Sequence, residues 1–171
     1  MSDDRVLQHI LNPSAPLSTE ESKIPDSDPV PQTDQEKNAD RLRLEAIKLA
    51  EQNSFPEAMK LFGDAIALAP TMASLYNDRA QLSRLAGENE MALDDINKAI
   101  QFSNSKGKTA VQAYTQRAML HMLNKDEESA RLDFERASFL GGKFAASQAA
   151  KLNPYAKLCN QMLSKAMDQL Q

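Results

Sequence analysis

The sequence predicts an all-α protein, a superhelical stack of three helical hairpins preceded by a disordered leader and closed by a C-terminal capping helix. Three observations carry that expectation. The 171-residue chain has only 5 glycines, no tryptophan and 5% aromatic residues, while Ala, Leu, Met, Lys, Glu and Gln, which lose little on entering a helix, abound. Between the leader and the last residues, apolar and small side chains recur every three to four positions, the spacing of one helix face. A set of small residues also returns at a nearly constant interval. Ala58, Phe62 and Ala65 are followed 34 residues later by Ala92, Ile96 and Ala99, and 38 residues after that by Ala130, Phe134 and Ala137.

Residues 1–32 read as the leader. Val6, Leu7, Ile10 and Leu11 share one helical face, ended by Asn12 and Pro13, but two to three turns are too short to hold alone. That segment should fold only when docked, either on the chain's own body or on a partner. Pro13, Pro16, Pro25, Pro29 and Pro31 then fall among Ser, Thr, Asp and Glu, the composition of a disordered linker. Residues 1–40 hold nine acidic and three basic residues against 15 acidic and 17 basic beyond, so the net charge of −4 belongs to the leader. A near-neutral body without a basic stripe lacks the phosphate-neutralising charge of a nucleic-acid binder, so no nucleic-acid partner is expected. No apolar run approaches a membrane span, and no basic patch precedes one at the N-terminus. A single cysteine, Cys159, cannot form an internal disulfide, which points to a reducing compartment. The cytoplasm is the expected location, with the nucleus as the alternative, and a monomer is the expected state.

Helical organisation should begin at Thr33, where Thr33 and Glu36 have the spacing of a capping box; Ser54 and Glu57 repeat that signature. Leu42, Ala46 and Leu49 mark the first helix, and Ala58, Phe62 and Ala65 the second, which stops at Ala69 and Pro70. The hairpin domain is then 33–142, with units at about 39–72, 73–106 and 111–142. Tyr76, Arg79 and Ala80 match Tyr114, Arg117 and Ala118 at a separation of 38, so the four extra residues fall at 107–110, read as a loop. A short helix over residues 144–152 follows. Asn153 and Pro154 should start the last helix, whose stripe of Tyr155, Leu158, Met162, Ala166 and Leu170 is expected to cover the exposed core of the last hairpin.

A 34-residue helical period with small residues at fixed places resembles the tetratricopeptide repeat family. Counted from Ala39, Ala73 and Val111, the small eighth position is Ala46, Ala80 and Ala118, the twentieth Ala58, Ala92 and Ala130, and the twenty-seventh Ala65, Ala99 and Ala137. Departures occur at the eleventh position, with Leu49, Ser83 and His121, and at the glycine between helices, kept as Gly87 but replaced by Asn53 and Lys125. The resemblance implies a non-enzymatic protein-binding adaptor or scaffold whose concave groove is lined by the first helix of each hairpin. The groove positions it assigns here include Arg43 and Ile47 in unit one, Asn77, Asp78, Gln81 and Arg84 in unit two, and Gln112, Thr115, Gln116 and Met119 in unit three.

The family's best-known use of that groove is a clamp of Lys, Asn and Arg on the C-terminal carboxylates of heat-shock chaperones. At the clamp positions this chain has Arg43, Ile47, Asp78, Gln112 and Gln116. Only the charge of Arg43 survives, and Asp78 would face an incoming carboxylate with a repulsion of roughly 1 kcal/mol in water and about 4 kcal/mol at an effective dielectric of 20. A standard clamp is therefore expected to be absent. A co-chaperone that meets a heat-shock chaperone through a different contact remains the alternative to the general adaptor.

Nothing else in the chain points to chemistry. The only histidines are His9, in the leader, and His121, which should face the interior of the third hairpin, so neither a Cys/His zinc cluster nor a nucleophile with its base can be assembled. The acidic groups Asp94/Asp95 and Asp126/Glu127/Glu128 read as helix starts and solvated faces, and Cys159 as a small packing residue. Gly107-Lys108-Thr109 lacks the strand and first glycine of a nucleotide loop. No catalytic residue, cofactor or metal is expected.

Overall fold

The computed structural model describes residues 28–168. The expected helical face at Val6 to Leu11, the proline-rich leader up to residue 27, and Leu170 lie outside the described residues. Eight helices follow among them: α1 (Asp34–Glu51), α2 (Phe55–Leu68), α3 (Ala73–Leu85), α4 (Asn89–Phe102), α5 (Gly107–Leu123), α6 (Glu127–Phe139), α7 (Lys143–Leu152) and α8 (Pro154–Asp168). The hairpins are α1–α2, α3–α4 and α5–α6, with α3 also packed on α2 and α5 on α4.

The first capping box forms as its spacing requires. Thr33 Oγ1 accepts from the Glu36 N–H at 3.1 Å, and the Glu36 carboxylate accepts from the Thr33 and Gln32 N–H groups at 2.9 and 2.8 Å. Those backbone donors, Thr33 first, hold the Glu36 carboxyl below its ordinary range. The second box does not form: Ser54 occupies the cap position of α2 without a side-chain hydrogen bond.

The turn that precedes α2 recurs in all three hairpins. Asn53, Gly87 and Lys125 have φ of 61°, 81° and 61°, and the N–H of the next residue donates back to Leu49, Ser83 and His121 at 2.9, 2.8 and 2.9 Å. This is the left-handed helix ending for which glycine is favoured, although glycine stands at only one of the three places. Lys125→Gly is expected to raise stability by about 1 kcal/mol, because a Cβ in the left-handed region costs roughly 1–2 kcal/mol and lysine gains nothing there in return. Chemical denaturation of the single variant checks it.

Residues 107–110 are not a loop. They form the first turn of α5, which has 17 residues against 13 in α3; four inserted residues make about one turn, so the buried face stays in register. Gly107 has φ of +74°, and a Cβ there would lie 2.7 Å from the Asp28 carboxylate. That carboxylate accepts from the Thr109 N–H at 2.9 Å and from its hydroxyl at 2.7 Å, capping a helix 81 residues away in sequence.

The repeated alanines are the contact points between helices. Ala58, Ala65, Ala92, Ala99, Ala130 and Ala137 are fully buried, with Phe62, Ile96 and Phe134 beside them; small side chains at these places let the backbones approach closely. Asp95 is not on a solvated face as expected. It is 1% exposed and receives two bonds from Arg79 at 2.6 and 2.7 Å. Arg117 and Asp133 reproduce the pair one unit later at 2.7 and 2.8 Å.

The last hairpin is covered by α7 rather than by the final helix. Ala145 is buried there, and Ala149 and Leu152 pack in the same cluster as Phe134 and Ala137. Because α7 already occupies that face, α8 rests chiefly on α7, and its Tyr155, Leu158, Met162, Leu163 and Met167 are each more than half exposed. Cys159 is exposed as well, against the expectation of a packing role.

Candidate protein-binding groove

The first helices α1, α3 and α5 stand side by side, and one chain of polar contacts crosses all three. On α1, Arg43 Nε donates to Asp40 at 2.8 Å, while its Nη1 reaches across to Asp78 of α3 at 2.7 Å. Asn77 Nδ2 donates to Asp78 at 3.2 Å and to Gln112 of α5 at 3.1 Å. Gln116 Nε2 closes the path with a 2.9 Å bond to Asn77 Oδ1.

Arg43 therefore sits between two carboxylates. Burial opposes its charge, but Asp78 and then Asp40 outweigh that, holding the guanidinium above its ordinary range. It is charged at every accessible pH, and its charge is already matched.

The groove positions are not equivalent. Gln81 and Gln112 are exposed, and Arg43, Ile47, Asp78, Arg84, Thr115 and Met119 are half-buried. Asn77 and Gln116, expected on the groove surface, are 1% and 7% exposed and lie between α3 and α5. The reason is packing: Ala80 of α3 and Ala113 of α5 share one core cluster, so the two helices approach closely enough to enclose the amides. The Thr115 hydroxyl donates to Val111 of its own helix at 2.7 Å. Two buried atoms on these helices, Arg84 Nε and Gln116 Oε1, have no hydrogen-bond partner among the described residues.

His121 lies half-buried, with Nδ1 3.5 Å from Asp126 and Nε2 3.8 Å from Asp133, at the joint of the third hairpin. Among the described residues, no group of three or more His, Cys, Asp or Glu is placed to hold a metal ion, and no helix is long and apolar enough to cross a membrane. The residues that sequence reasoning missed are Asp95 and Asp133. Their signal was present, since each follows its arginine by 16 residues.

Three stacked hairpins notched by alanine, with their first helices side by side, define a tetratricopeptide repeat protein. The chain matches no family model. Tetratricopeptide repeat protein 36 of Danio rerio is 43% identical over 173 residues, covering 98% of this chain and 92% of that protein. The Drosophila melanogaster homolog is 42% identical over 176 residues, covering 98% and 94%. Among solved structures, the first TPR domain of Spaghetti bound to an HSP90 peptide superposes with a TM-score of 0.61 at 21% identity, over 73% of this chain and 95% of that one. The chain belongs to the tetratricopeptide repeat protein 36 family.

Proposed function

We propose that the protein is a non-enzymatic adaptor that holds a segment of a partner protein in the groove of α1, α3 and α5. The observation that carries this reading is the polar path from Arg43 to Gln116, flanked by the exposed amides of Gln81 and Gln112 and the half-buried Arg84. An extended peptide carries N–H and C=O groups in alternation, and the exposed amides of Gln81 and Gln112 can accept from the one and donate to the other. Ile47 and Met119 add apolar contact on either side. The groove is complete within one chain, so the acting species in this reading is the monomer.

A co-chaperone is the second reading, favoured by the neighbouring folds: the Spaghetti domain carries an HSP90 peptide and a yeast Sti1 domain an Hsp70 one. In this chain the contact would differ from a carboxylate clamp. The one surviving cation, Arg43, is engaged by Asp40 and Asp78, and amides stand at the unit-three cation positions, Gln112 and Gln116.

Two measurements separate the readings. Proteins captured by the native chain should be lost by the Arg43→Ala/Gln81→Ala/Met119→Ala variant, whose three changes sit on exposed or half-buried groove positions; retention of all of them would move binding off the groove. Fluorescence polarisation with chaperone C-terminal peptides should show no micromolar binding, and Asp78→Asn should not create it. Micromolar affinity abolished by amidating the peptide carboxylate would overturn the clamp argument.

A further inference from the structure

The face that the fold leaves uncovered is on α8. Tyr155, Leu158 and Met162 are 77, 54 and 63% exposed along two turns of a helix that rests chiefly on α7. Apolar side chains contiguous in this way usually mark a docking surface.

Three further observations say what covers it. The first is where the chain outside the described residues begins. Asp28 is fixed to Thr109 in the first turn of α5. Two residues further along α5, Val111 lies against Gly142, the cap of α7, so closely that a Cβ on that glycine would meet Val111 at 2.8 Å. The first described residue, with 27 residues preceding it, thus stands beside the start of the α7–α8 pair. The second is charge: residues 1–27 carry five acidic and two basic side chains, whereas residues 143–171 carry four lysines and one aspartate. The third is shape. The spacing of Val6, Leu7, Ile10 and Leu11 is that of an apolar helical face two turns long, which would match the exposed stretch from Tyr155 to Met162.

We propose that residues 5–11 dock as a short helix on the apolar face of α8, with Val6, Leu7, Ile10 and Leu11 against Tyr155, Leu158 and Met162. Reach permits it. Residues 12–27 span up to about 50 Å when extended, while α7 and α8 are roughly 15 and 22 Å long. A tether of this kind holds the segment at an effective concentration near millimolar, so a contact too weak to persist between separate molecules persists within one. Docking also supplies the tertiary support that a helix of two to three turns needs.

Cys159, the single cysteine, is exposed on α8 one turn from Tyr155 and Met162, and reports on the cover without any added probe. The test compares the full-length native chain with Leu7→Asp/Ile10→Asp in its reaction with a thiol reagent, over a range of protein concentrations. The expected result is modification about tenfold faster in the variant, the effect of opening a locally protected surface, at rates independent of protein concentration. Hydrogen exchange should show faster exchange at the α8 amides in the variant and unchanged exchange in α1–α6, which also verifies that the repeats remain folded. Equal thiol rates with equal α8 exchange would overturn the proposal. So would protection that grows with protein concentration and survives the substitutions, because a second copy would then be the cover.

Discussion

Urea unfolding of the Asp95→Ala protein is expected to show a stability loss of about 3 kcal/mol, near the lower end for breaking a buried ion pair. Asp95 has a side chain 2% exposed, and Arg79 donates two parallel bonds to it from a position 21% exposed. Those bonds, more than burial, set the state of the guanidinium: Asp95 raises its pKa against the desolvation that lowers it. Removing the carboxylate leaves a permanent positive charge in the hairpin without its acceptor. The residual exposure of Arg79 lets water compensate in part, which is why the lower end is expected. Asp133→Ala should cost less, because Arg117 keeps a 2.8 Å bond to Asn97 that Arg79 lacks. Joint replacement by Arg79→Met/Asp95→Leu should recover most of the loss, since apolar residues of similar volume often substitute for such a pair at little cost. A loss below about 1 kcal/mol for Asp95→Ala, the range of an exposed pair, would mean that the pair does not hold the hairpin together.

How much of this was legible in the sequence depends on whether a feature is local and periodic. The alanine notches and the apolar residues beside them recur at a fixed interval, and a buried contact leaves that trace in each unit. The arginines Arg79 and Arg117 recur in the same way, but the partner of Arg79 was hidden by a neighbour. Asp94 is exposed and Asp95 is not, and a pair of adjacent acids on an amphipathic helix reads as solvated unless the 16-residue offset is noticed twice. Asn77 and Gln116 occupy groove positions by register, yet the close approach of α3 and α5 encloses them, and register alone does not give interhelical distance. The apolar stripe of α8 was visible, but not that α7 would reach the last hairpin first. Asp28 had no local signal at all: its partner Thr109 is far along the chain, and the helix it caps begins at residues that read as a loop.

The first unit has no counterpart of the Arg79–Asp95 pair between its two helices. Glu45 and Leu61 stand where Arg79 and Asp95 stand 34 residues later, so its hairpin rests on apolar contact. Phe62, 1% exposed, is the centre of that contact, clustered with Ala46, Ala58 and Leu82, with Leu49, Phe55 and Met59 packed around them. Phe62→Ala is expected to cost about 3–5 kcal/mol, transfer and cavity combined. The loss should be local. An end unit of a repeat stack touches one neighbour only, and what ties α1 to α3 beyond that cluster is the core around Leu75 and the half-buried Arg43–Asp78 pair. Hydrogen exchange should therefore accelerate in α1 and α2 while α5 and α6 keep their protection, the pattern of sub-global opening. Ile96→Ala, made in the central unit, should instead accelerate exchange in all three hairpins. Because Arg43 and Ile47 leave the groove when α1 opens, partner capture should fall in the Phe62→Ala protein at temperatures where units two and three are still folded. Uniform acceleration across α1–α6 would show that the three hairpins open as one body, and that unit one is held by more than the phenylalanine at its centre.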